Sequence, residues 1–74
     1  MILILTPNID AGSAEYRQLM DHLTNLPNVQ TRLHRETGTQ QTLTEIYLVG
    51  DTTQLSLEDM RSLPGVDRVV LDSH

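Results

Sequence analysis

A chain of 74 residues with no cysteine, tryptophan or phenylalanine makes a single small domain over residues 1–74, too short for a large core, with no disulfides, thiolate zinc site or iron–sulfur cluster. Ten acidic side chains face five arginines and no lysine, and the net charge of −5 excludes a nucleic-acid partner and a polybasic membrane patch. No segment reaches the roughly 20 apolar residues of a membrane span, and the opening Met-Ile-Leu-Ile-Leu lacks the charged leader of a signal peptide, so a reducing, cytoplasmic setting is expected.

The run 2–5 is apolar, too short for a helix, and stopped by Thr6-Pro7-Asn8; it reads as a strand, because proline cannot donate to a ladder. Over 13–26 the period changes. Tyr16, Leu19, Met20, Leu23 and Leu26 fall on one helical stripe. Ser13 is placed as its N-cap, and Glu15 sits in the first turn, where the helix dipole favours an anion. Pro27-Asn28 ends the helix.

Residues 29–35 alternate, with Val29, Thr31 and Leu33 on one face and Gln30, Arg32 and His34 on the other, the pattern of a half-buried strand. The stretch 36–41 has no apolar residue and a central Gly38, which predicts a hairpin loop of six residues. A third strand is expected over 43–49, closed by Gly50-Asp51. Ser56-Leu57-Glu58-Asp59 then resembles a capping box, with Leu55 and Met60 placed as a hydrophobic staple. This short helix stops at Pro64-Gly65. Residues 66–71 make the last strand, Val69 and Leu71 alternating with Arg68 and Val70.

The order β-α-β-β-α-β specifies an α+β, ferredoxin-like fold: a four-stranded antiparallel sheet with two helices on one face. The first and third strands are then central. Helices on one face alone call for alternation in those strands, yet Ile2, Leu3, Ile4 and Leu5 are apolar on both sides, and Val69, Val70 and Leu71 are consecutive. The uncovered sheet face is therefore expected to meet another subunit or another domain.

No motif for catalysis stands out. His22, His34 and His74 are dispersed, without the spacing of metal ligands, so no metal or other cofactor is expected in this chain. Ser13, Ser56, Ser62 and Ser73 are explained by caps, helix surface and terminus, and no nucleophile elbow exists. Glu58-Asp59 sits where the helix dipole accounts for it. The loop 8–13 lacks the glycines and the cation of a phosphate site. Tyr47 is the only aromatic in a strand, too little for an RNA-stacking sheet. Arg32 and His34 share one face of an edge strand, where they could receive the carboxylate of a small ligand or serve as charges that discourage edge pairing.

The start Met1-Ile2-Leu3-Ile4-Leu5-Thr6-Pro7, and above all Val49-Gly50-Asp51 followed by Leu63-Pro64-Gly65-Val66-Asp67-Arg68-Val69-Val70, resemble the N-terminal ferredoxin-like (ACT-like) domain of type I DAHP synthases, the 3-deoxy-7-phosphoheptulonate synthases. That family opens on M-I-[IV]-V-L-K-P and closes the domain on V-I-G-D and L-P-G-V-E-R-V-V. Here Thr6 stands in place of the lysine. The first loop (8–12) and the hairpin (36–41) are longer than the family's.

The resemblance implies a regulatory module rather than an enzyme. Aromatic amino acids, tyrosine or phenylalanine foremost, would bind between such domains of neighbouring subunits. The domains would then associate, with another copy or with the catalytic barrel, and obstruct the active site. Carried over by position, effector contacts on the second strand fall near Arg32 and His34, where the family more often has a histidine and a small hydroxyl residue; Asp51, at the end of the third strand, is taken as a further candidate contact. The resemblance places the divalent metal and the sites for phosphoenolpyruvate and erythrose 4-phosphate in a barrel beyond residue 74, so this chain is expected to be an excised domain of a transferase (aldolase). A free-standing ACT-like sensing or oligomerisation module is the alternative. A small ferredoxin-like enzyme is a distant third.

Overall fold

A computed structural model describes residues 1–71; Ser73 and His74 lie outside the described residues. The elements run β1 (Ile2–Leu5), α1 (Ala14–Thr24), β2 (Val29–Thr37), β3 (Thr42–Gly50), α2 (Leu57–Arg61) and β4 (Val66–Val70). The strands form one sheet in the order β2-β3-β1-β4, every pair antiparallel. This is the ferredoxin-like α+β arrangement expected from the element order.

Both helices begin as their residues dictate. The Ser13 hydroxyl accepts from the Tyr16 amide at 3.2 Å and donates to the Asp10 carbonyl at 2.7 Å, satisfying one orphan donor of the first turn. The Ser56 hydroxyl accepts from the Asp59 amide at 3.4 Å, a longer bond on a helix of only five residues. Ser13→Ala is expected to cost about 1 kcal/mol, read as a lower denaturant midpoint at unchanged slope.

One core joins sheet and helices. Leu3 and Leu5 of β1, Ile46 and Leu48 of β3, Leu19 and Leu23 of α1 and Met60 of α2 are buried together. Tyr16 and Met20 of α1, with Leu26 beyond its end, pack around them, and Leu55 packs against the same cluster that holds Met60. The smallest dimension of the molecule is 19 Å, room for one sheet and one layer of helices, each roughly 10 Å across. The far face of the sheet has no second layer from the described residues.

Besides one-residue shifts at the ends of β3 and an α2 helix that stops at Arg61 rather than at Pro64-Gly65, the structure differs from the sequence reading in four places. The α1 helix stops at Thr24 with Asn25 as C-cap, so Leu26 packs from outside it; Pro27 disfavours helical geometry in the residue before it. Glu36 and Thr37 pair with Leu43 and Thr42, so the hairpin loop is 38–41 rather than 36–41. Polar side chains there do not prevent pairing, because a strand edge in water asks only for backbone partners. Leu71 falls outside β4, and it is 60 % exposed.

The fourth difference is Leu33. It lies opposite Ile46, on the helix side as expected, yet it is 49 % exposed. An 11-residue helix covers about 16 Å, whereas a nine-residue strand runs about 30 Å. The outer half of the β2–β3 hairpin overhangs the helix layer.

Candidate functional site

Strand register sorts the open face into rows, because residues directly opposite one another point to the same side. One row reads Arg32, Tyr47, Ile2, Val70 and the next His34, Glu45, Ile4, Arg68. Gln30 and Val49 form a further pair beside the first row, and Glu36 and Leu43 one beside the second. Tyr47, Val49 and Val70 are among the exposed large hydrophobic residues. The open face thus carries an apolar stretch of Tyr47, Val49, Ile2, Ile4, Leu43 and Val70, interrupted by Glu45 on β3 and flanked by Arg32 and His34 on β2 and Arg68 on β4.

The structure brings two of the three sequence-derived site residues together. Arg32 and His34 occupy neighbouring rows of the open face on edge strand β2, and both are exposed. Asp51 follows the end of β3, four residues beyond Tyr47, about 13 Å along the strand. Its amide donates to the Asn28 carbonyl at 3.0 Å, and its carboxylate accepts from the Thr53 hydroxyl at 2.6 Å. Asp51 therefore closes the turn after β3 and stands apart from the Arg32–His34 pair.

A hollow of ≈ 280 Å³ opens on the same face, beside the His34 row. Ile4, Pro7 and Leu43 give it an apolar floor, and Gln41, Glu45, Asp67 and Arg68 give it a polar rim. Within that rim a Glu45 carboxylate oxygen accepts from the Tyr47 hydroxyl at 3.1 Å. Two neighbours in sequence, Asp67 and Arg68, reach the same hollow because β4 carries a bulge. Ile4 pairs with Arg68 and Leu5 with Val66, leaving Asp67 as the extra residue, and a bulge re-aims the side chain that it inserts.

Sequence alternation left Glu45, Asp67 and Arg68 as ordinary strand positions. The one signal for the bulge is the spacing of apolar residues in β4. Val66 and Val69 are three apart, although both pack on the core, and a regular strand would space them by two or four.

Among the described residues no group of three or more His, Cys, Asp or Glu side chains is arranged to hold a metal ion. No helix among them is long and apolar enough to cross a membrane.

No curated protein and no solved structure matches the chain. The family model described as the DAHP synthase ferredoxin-like domain matches residues 1–71, the whole of the βαββαβ unit. With the strand order β2-β3-β1-β4 and both helices on one core, the chain belongs to the DAHP synthase ferredoxin-like domain family.

Proposed function

We propose that this domain is the N-terminal regulatory module of a DAHP synthase of aromatic amino-acid biosynthesis. It binds an aromatic amino acid, tyrosine or phenylalanine, and mediates feedback inhibition by associating with a second copy of itself or with the catalytic barrel. The observation that carries this reading is the open sheet face, with Tyr47 at 37 %, Val49 at 45 % and Val70 at 41 % exposure beside Arg32 and His34. Apolar surface of this kind favours a partner, and edge-strand cations suit the carboxylate of a small ligand held at the boundary.

The aldol-type condensation of phosphoenolpyruvate with erythrose 4-phosphate, and the divalent metal it uses, belong in this reading to a barrel outside the 74 residues. Mixing the chain with both substrates and a divalent metal is therefore expected to yield no product; measurable turnover would refute the assignment of chemistry elsewhere. The regulatory reading is tested by titrating the chain with tyrosine, phenylalanine and tryptophan while following backbone amide shifts and sedimentation. Saturable shifts on β2 and β3, with a ligand-dependent gain in mass, are expected. Absence of both would remove the effector role.

A further inference from the structure

We propose that Asn8 is a clasp holding the outer end of the β2–β3 hairpin to the rest of the domain, and that its release lets that end open as one unit. The β1–β3 register explains why a clasp is needed. Leu3 stands opposite Ile46, and the Leu48 amide donates to the Met1 carbonyl at 2.9 Å. Bonded pairs recur at every second residue of an antiparallel ladder, so the register carried on from Met1 sets Pro7 opposite Thr42. Proline has no N–H to donate, and the ladder would end there.

Asn8 supplies both of the missing groups. Its amide donates to the Thr42 carbonyl at 2.9 Å, and its side-chain oxygen Oδ1 accepts from the Thr42 amide at 2.8 Å. The Asn8 φ is +62°, a left-handed conformation that asparagine tolerates better than most residues. The loop that carries it is anchored at its start, where the Thr6 amide donates to the Gly65 carbonyl at 2.9 Å. The hairpin end is held less firmly. Thr42 pairs with Thr37, and the Gly38 amide closes the turn on the Gln41 carbonyl at 2.8 Å. Residues 32–41 are all exposed, and a segment with so little apolar burial opens at lower free energy than the core. The clasp therefore joins a fixed loop to the part of the sheet most ready to open.

The test is native-state hydrogen exchange on the 74-residue chain, read at the Thr42, Gly38 and Leu48 amides relative to their unfolded rates. In the unaltered chain Thr42 and Gly38 are expected to exchange together, well ahead of Leu48 in the core. Asn8→Gly keeps the left-handed backbone and the backbone donor but loses the side-chain acceptor. It is expected to speed exchange at Thr42 and Gly38 by one common factor, about three- to tenfold. Asn8→Asp keeps an acceptor oxygen and is expected to bring both rates back toward those of the unaltered chain. Unchanged rates in Asn8→Gly, or an Asp variant as fast as the Gly variant, would remove the side-chain acceptor from the account and overturn the clasp. A Gly38 rate that stays constant while Thr42 quickens would show one local bond and no unit. Thr42 and Gly38 exchanging no faster than Leu48 would show that the hairpin end does not open separately. Either result would also overturn the proposal.

Discussion

Leu3→Ala is expected to lower the thermal midpoint by about 12–24 °C, from a loss near 3 kcal/mol in a domain of this size. Leu3 is fully buried, and it meets Ile46 on one side and Val69 on the other. Few other core residues exist to absorb the cavity: among the described residues the buried cluster has only seven members. A domain this small holds on the order of 4–10 kcal/mol in all, so one large-to-small change removes a substantial share. Ile4 makes the control. It is half-buried on the opposite face, and Ile4→Ala is expected to cost about 1 kcal/mol by area alone. Equal losses at the two positions, measured by thermal unfolding followed by circular dichroism, would contradict the sidedness of β1.

Gly50→Ala is the second large effect, with an expected cost of about 2–4 kcal/mol from backbone strain and steric displacement. Gly50 adopts a φ of +125°, and a methyl group built there would run into the carbonyl oxygen of Asn28. The obstacle is backbone, itself tied by the bond from the Asp51 amide to the same oxygen, so it cannot swing aside. Gly65 gives the contrast. Its φ is +79°, but the nearest atom to an added Cβ is the Ile9 Cδ1 at 2.7 Å, the free end of a side chain that can rotate away. Gly65→Ala is expected to cost about 1 kcal/mol, the ordinary penalty of positive φ. Denaturant melts of the two variants separate these cases. A milder effect at Gly50 than at Gly65 would show that the β2–β3 end yields more easily than its packing suggests.

Much of this architecture is legible without coordinates. Four apolar residues ahead of Thr6-Pro7 can only be a short strand, and the stripe Tyr16, Leu19, Met20, Leu23 and Leu26 is helical by spacing alone. Each of those five packs in or against the core. The doubly apolar β1 also signals an uncovered face, since no third layer can be drawn from so few residues. Less of the site is legible. Alternation puts Arg32 and His34 on one face, and register agrees. Asp51 is placed only by its position at the end of the third strand, and the structure shows it holding the turn with Asn28 and Thr53.

Local chemistry thus determined what each segment becomes: strand or helix, where it caps and which side is apolar. These depend on neighbours within a few residues, through dihedral preference, capping donors and side-chain period. Only the tertiary structure decided which residues on different strands stand side by side. Pairing of Ile4 with Arg68 and Leu5 with Val66 sets the bulge, so that Asp67, Arg68 and, across β1, Glu45 line one hollow. A bulge is a property of two strands in register, and the backbone hydrogen bonds that define it carry no side-chain identity. The small size, acidic balance and missing cysteines limited what this chain can be; the register of its sheet decides which side chains share its open face.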